Sequence, residues 1–308
     1  MKNNRVSGVV GIGAYRSNFN AGFDSKPKKL PDGTIFASDV AIKRSMRDAL
    51  SEMGEPVFYK KTMAYDEKKG NSKVVTIEER YANMFGDEVK DRLKVLKQLM
   101  TATDVRMFGV LYTGKTSNIG YRGTVQFAQG LNVDKETEEV KMDITAPFSS
   151  NEKESSTIGK KHFTDEAHYL YNFVIDPAEN RQYIQNGWLD EEEVFSERDY
   201  EAFKDAAKVC ATRINTAAKV ACFNEFALFV ELKEDSKKYL IDLANLIKVT
   251  RGEDKTKYDL NELMRSLIDS PVVTDIEKVE IYAETNKVEL IGLQMEAPFD
   301  IHVKSIFE

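Results

Sequence analysis

RVSGVVGIGAYRSNFNAGFDSKPKKLPDGTIFASDVAIKRSMRDAL, residues 5–50, holds three elements in one run. Residues 5–15, rich in Val and small residues, predict a buried strand. Residues 16–37 are dense in Asn, Gly, Pro and Asp and read as a long loop, of a length that in compact domains usually serves function. A helix follows from about Ser38 to Met53, with Ser38 or Asp39 as N-cap. Ile42, Met46, Ala49, Leu50 and Met53 form its apolar stripe. At 100° per residue, Lys43, Arg44 and Arg47 fall within an arc of about 100° beside that stripe. Fixed cations on a rigid helix are what a phosphate backbone needs, and they are equally the look of a solvated helix face.

Working outward, residues 56–65 (PVFYKKTMAY) predict a second strand. Ile77–Met100 predicts a helix, with apolar Tyr81, Phe85, Val89, Leu93, Leu96 and Met100. Strands are expected at 104–113 and 121–128, then a polar tract, 129–162, that projects from the body. The rest reads as a strand at 168–175, a helix near 197–218, a strand at 225–232, helices near 236–247 and 259–268, and strands at 276–283 and 287–293. No internal repeat is visible. Strands and helices mix without the alternation of a doubly wound sheet, so the class is α+β, and the opening strand–helix–strand suits a ferredoxin-like core.

The 308 residues, 42% hydrophobic and 31% charged, are ordinary for a globular protein able to bury a sizeable core. No apolar run approaches the roughly 18–20 residues needed to cross a bilayer, and the apolar stretch near the start is too short for a signal peptide. The two cysteines, Cys210 and Cys222, form no C-x-x-C pair, so neither a disulfide framework nor a redox motif is indicated and a cytoplasmic setting fits. The net charge of −7 speaks against nucleic acid at face value. Its distribution is uneven: residues 1–50 carry nine Lys/Arg against four Asp/Glu, a balance of +5. An acidic chain binds a polyanion when its basic groups share one face.

Most motifs that usually carry chemistry dissolve on inspection. GVLYTGKT, Gly109–Thr116, satisfies the phosphate-loop pattern literally, but its intervening residues are strand-like and SNIGYRG after it cannot begin a helix. GIGAYR, from Gly11, has Arg16 at the third glycine position of a dinucleotide fingerprint and leads into a loop. The three histidines, His162, His168 and His302, have no metal-ligand spacing. Cys210 and Cys222 lie among Ala-rich apolar residues and read as core thiols. Nothing supports an enzyme, a cofactor or a metal.

Several strings change the weight of the basic helix. The loop and helix of residues 16–50, DVRMFGVLYTG (104–114), YRGTVQFAQGLN (121–132), ITAPFSS (144–150), STIGKKHFTDEAHYLYNFVI (156–175) and the stretch up to FALFVEL (226–232) together resemble the CRISPR Cascade backbone family, in the family's order. The likeness spans roughly residues 5–232, about three quarters of the chain, and the Asn-Phe-Asn loop resembles the type I-B branch. Residues 233–308 carry little of it.

That resemblance implies a single ferredoxin-like (RNA-recognition-motif-like) palm with inserted helical fingers, about 66–101, and a thumb hairpin, about 146–163. It implies a non-enzymatic subunit whose copies stack along the guide RNA (crRNA) and present it for pairing with a target DNA strand in antiviral defence. The implied partners are further copies of the chain, the subunit that binds the 5′ handle and the large subunit, with no membrane. Carried over by motif, Lys43, Arg44 and Arg47 contact RNA phosphates, and Asn18, Asn20 and Ser38 lie near the RNA. Ile158 is the apolar wedge of the thumb, with Lys160 and Lys161 beside it. Arg106, expected on a strand, is either an RNA contact or the partner of a carboxylate at the core edge. Recognition runs through phosphate and shape, because guide sequences vary while the protein does not.

Two other classes compete. In a related type III backbone class, a loop carboxylate before the first helix supports metal-dependent RNA cleavage. Asp24 or Asp32 would serve here, although both suit a Pro/Gly-rich turn. A nucleotide hydrolase built on GVLYTGKT is the third.

Overall fold

The computed structural model describes residues 1–146, 157–234 and 236–308, the side chains of 146, 157 and 158 excepted. Its centre is β1 (Val6–Ser17). In chain order there follow α1 (Asp39–Glu52), β2 (Val125–Phe127), β3 (Gly130–Asn132), β4 (Glu139–Ala146) and β5 (Thr157–Ile175). α2 (Glu197–Val209), β6 (Cys222–Leu232), β7 (Ile276–Ala283) and β8 (Asp300–Ser305) complete the frame. They build a nine-stranded sheet in the order β8–β7–β6–β1–β5–β3, with the short strand Phe36–Ala37 beyond β3, and β2 and β4 also paired to β5. β1 runs antiparallel to both neighbours, with Val6 opposite Ile175 of β5 and Glu231 of β6.

The sheet is buried on both faces, which is why its central strands read as nearly continuous apolar runs. One face carries Val10, Ile12, Tyr171, Phe173 and Phe229 against Ile42 and Met46 of α1 and Phe203 of α2. The other carries Val9, Leu170, Phe226 and Leu228. It is covered by the turn Leu243–Leu246, the helix Asn261–Asp269 and a three-stranded sheet of Lys248–Thr250, Thr256–Asp259 and Val288–Ile291. Each such buried side chain contributes roughly 1.5–3 kcal/mol relative to exposure, so both layers hold the sheet.

A third core lies in the segment between α1 and β2. It packs Phe58, Tyr81, Leu99, Val105, Tyr112 and Tyr121 together, closed by Leu189 and Val194. β5 outruns β1: its last partner there is Thr164, opposite Ser17, and residues 157–163 pair with β4. The two strands form an arm, and residues 147–156, which include most of the expected thumb tip, lie outside the described residues. Among the described residues no helix is long and apolar enough to cross a membrane.

The first strand, the helix after the long loop, and β6 and β7 stand close to their expected places. Several other expectations are corrected. Residues 56–62 form no strand: the backbone N–H groups of Phe58 and Tyr59 donate to the buried Asp104 carboxylate (2.7 and 3.0 Å) instead of to a neighbouring strand. Ile77–Met100 is two helices, Ile77–Phe85 and Arg92–Met100, parted at Gly86 (φ 84°), with Asp91 capping the second. Residues 104–113 begin as the helix Thr103–Phe108 and become a strand only at Gly109. The helix near 197–218 stops at Val209. The helix expected at 236–247 is reduced to the turn Leu243–Leu246. Arg5 draws the carbonyls of Ser236 and Lys238 outward (3.2 and 3.1 Å), and Asp242 takes left-handed backbone (φ 48°).

Candidate nucleic-acid interface

One residue before β1 ends, Arg16 is exposed and has left-handed backbone (φ 46°). Asn18 follows, buried, its N–H donating to the carbonyl of Ala218 (2.8 Å) and its side-chain amide to the carbonyl of Ser25 (3.2 Å). The Oδ1 of Asn18 has no partner among the described residues. Asn20 ties the loop to α1: its Oδ1 accepts from both the N–H (2.9 Å) and the hydroxyl (3.0 Å) of Ser38. Ser38 therefore occupies the N-cap position without capping by its own side chain. The loop and the helix start are one fixed unit.

The three cations of α1 divide. Lys43 donates to Asp39 one turn earlier (3.2 Å). Arg47 reaches Asp104 (2.9 Å), a fully buried carboxylate, and lies over the rings of Tyr59 and Phe108. Arg44 is exposed and has no ion-pair partner among the described residues. The helical wheel places all three on one arc, but wheel position says nothing of which carboxylate waits across the groove.

Arg106 is corrected in place, while its partner is the carboxylate that was one of its two expected roles. It stands on the helix Thr103–Phe108, not on a strand, and forms a bidentate pair with the buried Asp199 (2.9 and 2.6 Å). It also donates to the carbonyl of Met100 (2.6 Å) and the hydroxyl of Thr103 (3.3 Å). A guanidinium so committed holds helices together.

On the arm, Lys160 is exposed opposite Asp143, and Lys161 donates to the carbonyl of Ala217 (3.3 Å). Ile158 pairs with Thr145 by backbone register, and its side chain lies outside the described residues. The structure thus ties the end of β1, the Asn18–Asn20 loop, the start of α1 and the Lys161 side of the arm together through the turn at 217–221.

Sequence reasoning missed Lys219, which sits on the turn after α2 with its ammonium 5.2 Å from the ring centre of Phe19. Extending the helix to 218 hid it; Asn215 and Thr216, poor helix formers in succession, were the available signal.

The competing chemistries find no geometry. In GVLYTGKT, Gly109–Thr113 is a strand of a hairpin with Asn118–Arg122. The N–H groups of Lys115 and Thr116 and the Thr116 hydroxyl all donate to the Glu88 carboxylate (2.8, 3.1 and 2.9 Å), so the donors that would cradle phosphate are taken. Asp24 and Asp32 each accept from the backbone N–H two residues on (3.2 and 2.9 Å), the geometry of a turn. Among the described residues no group of three or more His, Cys, Asp or Glu is placed to hold a metal ion. Burial pushes the Cys210 and Cys222 thiols up to about 11, away from nucleophilic use.

Comparison with known proteins identifies a family. The family model described as CRISPR-associated protein Cas7 matches residues 4–273. A solved chain from a "CRISPR RNA-guided surveillance complex, pre-nicking" superposes with a TM-score of 0.56 at 14% identity, covering 94% of this chain and 95% of that one. A chain from a "CRISPR RNA-guided surveillance complex" gives a TM-score of 0.49 at 14% identity, covering 91% of each. At such identity the first likeness is one of fold, and the second carries no argument. No curated protein matches the sequence.

Proposed function

The chain belongs to the Cas7 family of CRISPR-associated proteins, and from that premise we propose that it is a non-catalytic, guide-RNA-binding backbone subunit of a type I Cascade complex. The observation that carries the proposal is the family match over residues 4–273. Copies stack along the spacer part of the crRNA, between a subunit that holds the 5′ handle and the large subunit, and present the RNA for pairing with target DNA. The Asn-Phe-Asn loop at 18–20 supports the type I-B branch.

The order β6–β1–β5–β3, all antiparallel, with α1 and α2 on one face, supports a ferredoxin-like palm. The separate core between α1 and β2 supports fingers, and the β4–β5 arm supports a thumb with Ile158 as its wedge. In this reading Arg44, Lys160 and Lys161 contact phosphates, and Lys43 joins them when RNA displaces Asp39. Asn18, Asn20 and Ser38 shape the loop against the RNA. Arg47 and Arg106 support the interface from within. Backbone contacts from several elements bind any guide sequence equally, as the task requires.

The test is purification of the chain with its partner subunits, with and without a CRISPR array, reading absorbance at 260 and 280 nm, RNA length and particle mass. The expected result is RNA of regular length in a large particle only when the array is present. A nucleic-acid-free assembly with the array and all partners present overturns the proposal.

A further inference from the structure

We infer that Lys219, on the turn between α2 and β6, forms with Arg44 a seat for one phosphodiester of a single-stranded RNA. The inference deepens the guide-RNA reading and rests on it.

The turn is fastened to the candidate interface at three points. Tyr15 N–H donates to the carbonyl of Ala221 (3.1 Å), Asn18 N–H to Ala218 (2.8 Å) and the Lys161 ammonium to Ala217 (3.3 Å). Lys219 is therefore held against the end of β1 and the base of the arm, on backbone that does not depend on a ligand for its position. Its ammonium lies over the face of Phe19, a fully buried ring, so its aliphatic stem and head are backed by packed protein.

Lys219 makes no hydrogen bond or ion pair through its ammonium among the described residues, and neither does Arg44 through its guanidinium. The two cations feel one another: burial first, and then Arg44, pull the Lys219 ammonium below its ordinary range, while Cys222 and Asp48 act the other way. In a chain of net charge −7, carboxylates are plentiful, and neighbouring cations such as Lys208 and Arg213 are paired with Asp205 and Glu52. Asp48 acts on Lys219 but forms no ion pair with either cation among the described residues, so a phosphate shared by both would recover energy that burial of the ammonium costs. Arg44 is exposed, so the seat opens to solvent, which suits one phosphate of a longer strand better than a small enclosed anion.

The test is binding of single-stranded RNA of mixed sequence to the full chain by fluorescence anisotropy across a series of KCl concentrations. Lys219→Met keeps the stem over Phe19 and removes the charge. It is expected to weaken binding about tenfold at low salt and to lower the slope of log affinity against log salt by about 0.7, with Lys219→Arg restoring both. Arg44→Gln is expected to give a similar loss, and the double variant less than the product of the two, because both groups act on one phosphate. On the unaltered protein, RNA is expected to protect Lys219 from an amine-acetylating reagent, read by peptide mass spectrometry; this holds the test if Lys219→Met fails to fold. RNA binding by the wild type with an unchanged slope in Lys219→Met, or with Lys219 acetylated at the same rate, overturns this seat alone. Absence of RNA binding by the wild type, alone and within the complex, overturns both the seat and the guide-RNA reading.

Discussion

Arg44 and Arg47 stand three residues apart on α1, yet Arg44 faces solvent while Arg47 crosses to the buried carboxylate of Asp104. Asp104 also accepts the N–H groups of Phe58 and Tyr59, so its charge is part of the fold. Arg47→Met is expected to destabilise by about 2–4 kcal/mol in urea unfolding, because it leaves that charge without its guanidinium. Arg44→Gln is expected to leave the unfolding midpoint in place and weaken RNA binding. An Arg47→Met protein as stable as the wild type would show that Asp104 does not need its partner.

A second residue-scale prediction concerns His168, fully buried between Glu225 (2.8 Å) and Glu166 (3.0 Å). Tyr15 and Tyr258 also donate to Glu225 (both 2.8 Å), and Gly13 leaves the room that carboxylate occupies. Burial opposes a charged ring, but the Glu225 and Glu166 carboxylates outweigh it and raise His168 to about 9. A folded-state value above the ordinary one means the contribution is complete below about pH 6.5 and is lost as pH rises through about 9. Unfolding free energy is expected to fall across that window by on the order of 3 kcal/mol. His168→Gln is expected to flatten that dependence, and an unchanged pH profile in the variant would assign it elsewhere.

At the scale of elements, the decisive one is β1, whose glycines are spaces filled by neighbours. A Cβ on Gly8 would stand 2.1 Å from the Leu228 carbonyl oxygen and 2.4 Å from the Phe173 ring. Neither the β6 backbone nor a ring packed against Phe203 and Phe229 can retreat. Gly8→Ala is expected to cost about 1–3 kcal/mol or more, seen as a lowered Tm. A neutral result would mean that the sheet spreads at its centre.

The same scale shows where local sequence was legible. β1, α1, β6 and β7 carry long, consistent patterns, and each lies close to its expected place. Residues 56–62 and 104–108 look like strands because Val, Phe and Tyr favour strands, and the strand expected at 56–65 forms only as Met63–Asp66. The pull of Asp104 and Arg106 on partners far along the chain overrides that preference. Residues 236–247 have a helical composition, but Arg5 claims their carbonyls.

For the whole molecule, residues 233–308 have a role that their sequence did not disclose: they cover the second face of the sheet, over Val9, Leu170, Phe226 and Leu228. Removing them is expected to expose a contiguous apolar face, giving strong binding of a hydrophobic dye and aggregation of the remainder. A soluble, dye-silent fragment of residues 1–232 would show that this cover is dispensable. With both faces occupied, RNA has no access to the sheet surface itself.

By itself the sequence determined the mixed class, the central strand, the loop-capped helix and, through ordered motifs, the family, because these rest on patterns of neighbouring residues. Only the tertiary structure decided which cations are free. Among the described residues, Arg44, Lys160 and Lys219 form no ion pair with a carboxylate, while Arg47 and Arg106 are bound to Asp104 and Asp199. Charge alone makes all five equal candidates. Whether a cation can meet an external phosphate depends on which buried acid lies within reach, and that is set by contacts between residues as far apart in the chain as Arg106 and Asp199.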